Sequence, residues 1–266
     1  MTQPTILVFD SGLGGLTVFR EIAAARPDAR LVYAADDAFF PYGAQDEARL
    51  VARVVALMGE LIARATPDLV VIACNTASTI VLPHLRARYA VPFVGTVPAI
   101  KPACASSKTR RVSVLGTEAT VKREYTMGLI RDFGQGCDVT LVGSVRLAPL
   151  AEAALRAEPI EDAAILTELA PCFVDLDARR TDTVVLACTH FPLLIERLRE
   201  LAPWPVGWID PAPAIARRVV DLLGLPQPAR PAEPAEGYFT SGRVSAPLAK
   251  ALSAFGIKAV AGAAAI

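Results

Sequence analysis

Short apolar runs rich in β-branched residues alternate with longer amphipathic stretches along the chain. The runs predict strands and the amphipathic stretches predict helices. Uninterrupted apolar runs are typical of parallel strands that helices cover on both faces of the sheet, so we predict an α/β fold. The predicted strands lie at residues 5–9, 31–34, 69–73, 92–94, 112–115, 139–142, 184–187 and 206–209, with helical stretches at 46–65, 122–132 and 160–176.

One segment of the chain occurs twice. Residues 68–76, DLVVIACNT, return as residues 182–190, DTVVLACTH, so Cys74 and Cys188 hold the same place in the two copies. The period is far too long for a solenoid and indicates a duplicated domain instead.

Weaker correspondences extend the repeat. Residues 92–95, PFVG, match residues 205–207, PVG, and the run ending at Asp10-Ser11-Gly12 loosely matches the run ending at Gly116-Thr117. Ligands of open parallel sheets bind at the carboxyl ends of the strands, where both repeated cysteines lie. We therefore expect two pseudosymmetric parallel-sheet α/β domains with the active site in the cleft between them.

The end of the chain is expected to return to the first half. Residues 226–234 are rich in proline and predict a surface connector, and Tyr238-Phe239-Thr240 predicts a last strand. The expected domains are residues 1–97 with 211–266, and residues 98–210.

Composition and charge exclude several classes of function. The 27 basic residues balance 27 acidic ones without a basic block, which argues against nucleic acid or an anionic membrane as partner. The most apolar window, residues 69–82, is too short and too polar to span a bilayer. Residues 1–10 lack a signal-peptide pattern. Five cysteines without CxxC spacing favour reduced thiols, and we expect a cytoplasmic protein.

The repeated cysteines carry the chemical hypothesis. An isolated cysteine after an apolar strand is usually a buried core residue. Two in duplicated contexts, each followed by small polar residues and a predicted helix start, favour a chemical role, since a helix N-terminus stabilises a thiolate. Inverting a stereocentre needs a base on one face and an acid on the other. We therefore predict a racemase that uses Cys74 and Cys188, and we assign Cys104, Cys137 and Cys172 to packing.

Polar residues near the strand ends are candidate partners of the thiols. His190 is placed to polarise Cys188 or to bind a carboxylate, and Asp10 is placed to play the matching part for Cys74. Glu152 is either a further acid near the second cysteine or a solvated helix residue.

Several candidate binding segments also have a purely structural interpretation. The glycine-rich residues 11–15 either allow an anion to approach a helix start or form a tight turn that Asp10 caps. Residues 41–43 indicate a rigid turn. Residues 116–120 supply hydroxyl groups at another helix start, although capping by threonine would explain them.

The sequence favours chemistry without a cofactor. A pyridoxal phosphate enzyme needs a lysine for its Schiff base, and none of the five lysines follows a predicted strand beside the motifs. Two histidines without a ligand-like cluster give poor support for a metal site.

Taken together, these motifs resemble the glutamate racemase family of the aspartate/glutamate racemase superfamily. The similarity runs in order from Asp10 to Asp210, through the segments DSGLGG at residues 10–15, PYG at 41–43, CNT at 74–76 and CTHFPLL at 188–194.

The resemblance implies interconversion of L- and D-glutamate, which supplies D-glutamate for peptidoglycan, by a cytoplasmic homodimer. It implies that Cys74 works on D-glutamate and Cys188 on L-glutamate, with Asp10 and His190 assisting. Residues 144–151 depart from the family's usual Cys-Pro and Phe-Val-Pro elements, and whether Glu152 takes part in catalysis stays open. The implied substrate contacts are Asp10, Ser11, Pro41, Tyr42, Gly43, Asn75, Thr76, Thr117, Thr120, Thr189 and His190.

Regulation and rival functions complete the expectations. The sequence begins without the extension of family members that a cell-wall precursor activates, so we expect no such activation. An aspartate racemase is the nearest rival, but His190 stands where those enzymes usually carry an acidic residue. A two-lobed binding protein gives no reason for two matched cysteines, and a cysteine-nucleophile hydrolase leaves the second cysteine unexplained.

Overall fold

Parallel strands form two separate sheets in the computed structural model, which describes residues 3–227 and 233–260. Contacts along the chain divide it into two units, Met1–Thr96 with Ala212–Ile266, and Val97–Pro211. In chain order the strands are β1 Thr5–Asp10, β2 Arg30–Ala35, β3 Leu69–Ile72, β4 Phe93–Gly95, β5 Arg111–Thr117, β6 Asp138–Ser144, β7 Asp175–Leu176, β8 Arg179–Arg180, β9 Thr183–Ala187, β10 Gly207–Ile209, β11 Ala235–Phe239 and β12 Ile257–Ala259.

Helices connect and flank the strands within each unit. They are α1 Leu16–Ala25, α2 Glu47–Ala65, α3 Asn75–Ile80, α4 Leu82–Arg88, α5 Ile100–Ser106, α6 Glu118–Val121, α7 Glu124–Phe133, α8 Leu147–Leu155, α9 Asp162–Leu169, α10 Ile195–Leu201, α11 Ala212–Leu223 and α12 Ala246–Ala254. Among the helices that the structure describes, none is long and apolar enough to cross a lipid bilayer.

The strand order is repeated between the units. The first sheet has the order β12-β11-β2-β1-β3-β4 and the second has the order β10-β9-β5-β6, with parallel neighbours throughout. The run β4-β3-β1-β2 therefore corresponds to β10-β9-β5-β6. The prediction of two parallel-sheet α/β domains is confirmed.

Strand register fixes which residues are equivalent in the two sheets. Phe9 lies opposite Ile72, and Leu115 lies opposite Leu186. One residue further along, Asp10 therefore corresponds to Gly116, as the loose match in the sequence indicated.

The last part of the predicted repeat is wrong in register. Phe93 lies opposite Val70, whereas Trp208 lies opposite Val184. Phe93 is therefore equivalent to Trp208 and not to Val206, because the second unit uses one more residue than the first between these paired positions, 184 to 208 against 70 to 93.

The predicted helix at 160–176 is also wrong in its second half. Helix α9 ends at Leu169, and a 3-10 turn at Ala170–Cys172 follows. Pro171 has no backbone N–H with which to continue an α-helix. Strands β7 and β8 then pair as a short antiparallel hairpin.

The C-terminal part of the chain completes the first sheet, as predicted. Strand β11 pairs with β2, and the amide of Thr240 donates to the carbonyl of Ala35 at 3.1 Å. The connector predicted at 226–234 lies partly outside the described residues.

A buried ion pair anchors the end of α11 in the same unit. Arg26 and Asp28 are 2.8 Å apart, with 2% and 5% of their side chains exposed. Arg26 also donates to the carbonyl of Gly224, just after α11. The guanidinium of Arg26 lowers the pKa of Asp28 to about 2.

Candidate active site

Both repeated cysteines lie just past the carboxyl ends of equivalent strands. Cys74 follows β3 by one intervening residue, and Cys188 follows β9 directly. Each is 6% exposed. The duplicated sequence is therefore a duplicated structural position.

Cys74 begins a helix, as predicted. It is the N-cap residue of α3, and its Sγ accepts a hydrogen bond from the amide of Ala77 at 3.5 Å. Its sulfur therefore faces the partial positive charge of the first helical turn.

Cys188 is held differently, and the α-helix start that we predicted just after it is wrong. A turn and then a 3-10 segment, Phe191–Leu194, separate it from α10, and His190 makes no side-chain cap. Pro192 in the first turn of that segment lacks an N–H, and the chain continues in 3-10 form until α10.

A histidine and a carboxylate accompany Cys188. Nδ1 of His190 lies 3.9 Å from Sγ of Cys188, and its Nε2 lies 3.0 Å from Oε1 of Glu152. His190 and Glu152 are 2% and 4% exposed. The structure thus brings together the three side chains that the sequence suggested for this half, and it places Glu152 in the interior rather than in solvent.

Asp10 occupies the end of β1, at the same edge as Cys74. The amide of Ala73 donates to the carbonyl of Phe9, so the two strand ends adjoin. Asp10 is fully buried, and its Oδ1 accepts from the amide of Gly12 at 2.9 Å and from Oγ of Ser11 at 3.5 Å. It does not cap α1, whose N-cap is Gly15.

The glycine at the start of α1 makes room for this aspartate. A Cβ on Gly15 would lie 2.6 Å from Cβ of Asp10 and 3.0 Å from the hydroxyl of Tyr33. That hydroxyl donates to the carbonyl of Gly12 at 2.6 Å, which fixes the loop. The lack of a side chain at Gly15 therefore leaves the space that Asp10 occupies.

Tyr42 is tied to a buried acid that the sequence analysis missed. Its hydroxyl, in a side chain 2% exposed, donates to Oδ2 of Asp36 at 2.8 Å. Burial, together with the negative charge of Asp36, raises the pKa of Tyr42 well above its ordinary value. Pro41 and Gly43 flank it and are half-buried.

Asp36 itself is fully buried and fully engaged. Arg53 donates to both of its oxygens, at 2.7 and 2.6 Å, and Thr240 donates to Oδ1 at 2.7 Å. Asp36 closely follows the predicted strand at 31–34, as Asp10 follows the strand at 5–9. That strand-end position is the signal that could have identified it.

The remaining predicted contacts differ in how they are satisfied. Thr76 and Thr189 are buried after the two cysteines. Thr117 is the N-cap of α6 and accepts from the amide of Thr120, so capping accounts for this pair. Asn75 is 2% exposed, and neither polar atom of its amide has a hydrogen-bond partner within residues 3–227 and 233–260.

The other three cysteines lie in packing positions. Burial raises the pKa of Cys172 to about 12, and burial with the neighbouring Cys137 thiol raises that of Cys104 to about 12. Over the described part of the chain, no group of histidine, cysteine or acidic side chains is arranged to hold a metal ion.

The polar residues near the two thiols differ between the two units. The position of Asp10 is taken by Gly116 in the second sheet, and the position of His190 is taken by Thr76 after Cys74. The cysteines are therefore duplicated, but their polar neighbours are not.

Known proteins identify the family. A family model described as Asp/Glu/Hydantoin racemase matches residues 11–219. Glutamate racemases from Brucella canis and Sinorhizobium fredii are each 52% identical to this chain. Their matches cover 95% of this chain and 92% and 95% of the two relatives. The chain belongs to the glutamate racemase family.

Membership of the glutamate racemase family makes the protein an amino-acid racemase, an isomerase, as the sequence motifs predicted. Glutamate racemase from Escherichia coli, solved in complex with L-glutamate and the activator UDP-MurNAc-ala, is 40% identical with a TM-score of 0.87. That match covers 98% of this chain and 99% of the other. The enzyme from Aquifex pyrophilus is 28% identical with a TM-score of 0.73, over 96% and 98% of the two chains.

Proposed function

We propose that this glutamate racemase inverts the α-carbon of glutamate with Cys74 and Cys188 as the two proton-transfer groups, without a cofactor. The observation that carries the proposal is the equivalent placement of the two thiols after β3 and β9. We further propose that the two structural units correspond to the expected domains, 1–97 with 211–266 and 98–210.

One proton is removed and another is delivered in each turnover. The thiolate of one cysteine takes the α-proton, the electron pair stays on the α-carbon, and the thiol of the other cysteine protonates the opposite face. In the reverse direction the roles exchange. Cys74 is assigned to D-glutamate and Cys188 to L-glutamate, as the family resemblance implies.

The polar neighbours assist each thiol in its own unit. His190 is placed to accept the Cys188 proton through Nδ1, while Glu152 stabilises the imidazolium that results. Asp10 is assigned the matching part for Cys74. Groups that transfer protons in this way contribute about a hundred- to ten-thousand-fold to the rate.

Substrate binding is assigned to the polar residues around the strand ends. A buried amide without a partner costs roughly 1–3 kcal/mol, so Asn75 is well suited to hydrogen-bond a polar ligand. The names of the relatives support glutamate as that ligand. The proposed contacts are Asp10, Ser11, Pro41, Tyr42, Gly43, Asn75, Thr76, Thr117, Thr120, Thr189 and His190.

The cellular role follows from the same assignment. We propose that the enzyme is a cytoplasmic homodimer that supplies D-glutamate for peptidoglycan and needs neither nucleic acid nor membrane as partner.

The test is α-deuteration with racemisation. The protein is incubated with L-glutamate, and in parallel with L-aspartate, in deuterated water with a chelator and no added cofactor. Circular dichroism should decay to zero for glutamate only, with one deuterium incorporated per inversion. Cys74→Ser and Cys188→Ser should each abolish turnover, whereas Cys137→Ser, a half-buried cysteine outside the site, should retain it. Turnover that survives in either active-site variant would exclude the two-thiol mechanism.

A further inference from the structure

A charged residue at the end of helix α8 contacts Glu152, the carboxylate next to His190 and Cys188. Arg156, the C-cap residue, follows Glu152 by one helical turn, and its amide donates to the carbonyl of Glu152 at 3.1 Å. Its Nη2 donates to Oε2 of Glu152 at 2.7 Å. The two side chains therefore meet on the same face of the helix.

The two oxygens of Glu152 face different partners. Oε1 lies against Nε2 of His190, and Oε2 accepts from Arg156. The Glu152 side chain is 4% exposed and that of Arg156 is 29% exposed. A buried carboxylate is tolerated when it is paired and hydrogen-bonded, and the guanidinium satisfies both conditions while it remains close to solvent.

The pair of Arg156 and Glu152 bears on which ring nitrogen of His190 carries the hydrogen. The guanidinium of Arg156 beside Oε2 favours the carboxylate form of Glu152. A carboxylate is an acceptor only, and in the arrangement that fits it Nε2 of His190 carries the hydrogen that Oε1 accepts. The lone pair of a neutral His190 is then on Nδ1, the atom 3.9 Å from Sγ of Cys188. Sharing the carboxylate with Arg156 also weakens its hold on the imidazolium, so that His190 can return its proton.

We propose that Arg156 is a positioning residue for Cys188, acting through Glu152 and His190. The proposal rests on the proposed function, because it gives Cys188 a proton-transfer role. The position equivalent to His190 is Thr76 in the first unit, so the proposed chain from Arg156 through Glu152 and His190 is specific to Cys188.

The first experiment compares Arg156→Gln with two controls. Arg131→Gln removes a comparable Arg–Glu ion pair on helix α7 that is exposed to solvent. In that pair Nη2 of Arg131 lies 2.6 Å from Oε1 of Glu124. Arg156→Lys keeps the positive charge. We expect kcat/KM to fall roughly tenfold or more in Arg156→Gln, a fraction of the hundred- to ten-thousand-fold that proton-transfer groups contribute. We expect Arg131→Gln to be unchanged and Arg156→Lys to recover most of the loss.

The second measurement separates a positioning role from loss of structure. The two enantiomers have equal free energy, so kcat/KM must be the same in both directions for every variant. The primary deuterium isotope effects need not be equal. Arg156→Gln should raise the isotope effect for α-deuterated L-glutamate, which Cys188 deprotonates, and lower it for D-glutamate. A general structural defect would leave both unchanged.

A double-mutant cycle completes the test. If Arg156 acts through Glu152, then Arg156→Gln should have no further effect in a Glu152→Gln background. Additive losses, unaltered isotope effects, or a kcat/KM of Arg156→Gln within twofold of the parent would each overturn the proposal. Failure of the parent enzyme to exchange the α-proton, or full activity of Cys188→Ser, would instead contradict the proposed function.

Discussion

Replacing Gly15 by alanine adds one methyl group that should displace Asp10 and lower racemase activity. The added Cβ would lie 2.6 Å from Cβ of Asp10 and 3.1 Å from its Cγ, against about 3.5–4.0 Å for carbon atoms in ordinary contact. Because the nearer atom adjoins the backbone of β1, a change of rotamer cannot relieve the overlap. The Asp10 carboxylate must therefore move by about 1 Å.

Two consequences follow, and both can be measured. Overpacking of this kind costs about 1–3 kcal/mol, and a misplacement of about 1 Å in a catalytic group can lower turnover about a hundredfold. Gly15 has φ −59°, so backbone strain contributes nothing to either effect. A stability change of 1 kcal/mol shifts the melting temperature by about 2–4 °C in a protein of nearly this size.

Gly128→Ala is the matched control. Gly128 lies within α7, where the nearest atom to an added Cβ is Nη2 of Arg131 at 3.7 Å. Alanine there should stabilise the protein by about 0.4–1 kcal/mol and leave racemisation unchanged. Thermal unfolding and the decay of circular dichroism from L-glutamate measure both variants. A Gly15→Ala protein with the parent's activity and melting temperature would refute the steric argument.

Three further outcomes are expected. Asp28, whose pKa is lowered to about 2 from 3.8, should contribute about 2 kcal/mol to stability above pH 4, and this contribution should disappear as the pH falls through about 2. The difference in unfolding free energy between the parent and Asp28→Asn should therefore shrink below pH 4, and a constant difference would contradict the assignment. With pKa values of about 12, Cys104 and Cys172 should resist iodoacetamide at pH 8 in the native protein, so rapid alkylation detected by mass spectrometry would contradict their burial. Tyr42→Phe leaves the buried Asp36 with one donor fewer and should cost about 1–3 kcal/mol in urea unfolding, and a stability equal to the parent's would count against the hydrogen bond.

The sequence was sufficient to predict the parallel strands and the position of Cys74 and Cys188 after two of them. The interiors of strands β1, β3 and β9 are uninterrupted apolar runs, and only Ser113 interrupts the run in β5. Their residues are buried almost throughout, as such runs predict. The duplicated segment around Cys74 and Cys188 predicted that the two cysteines occupy equivalent strand ends. Such runs are reliable predictors because helices cover a parallel sheet on both faces, so every residue of a buried strand meets an apolar environment.

Contacts between distant parts of the chain were not predictable in the same way. Asp36 is held by Arg53 on α2 and by Thr240 after β11, and no local pattern links these residues. The contact of Arg156 with Glu152 has no sequence signal either, because it depends on the burial of Glu152, which the sequence left open. The helix predicted at 160–176 failed for the opposite reason, because the local restriction at Pro171 outweighed the amphipathic pattern.

The pairing of β11 with β2 has a consequence for synthesis of the chain. The unit of Val97–Pro211 is one continuous segment, whereas the unit that begins at the N-terminus lacks a strand until residues near 240 have left the ribosome. Until then, β2 presents an unpaired edge, and Asp36 lacks the hydroxyl of Thr240. The first half to be translated is thus the last to be finished, and its open edge must avoid other nascent chains while the middle of the protein folds.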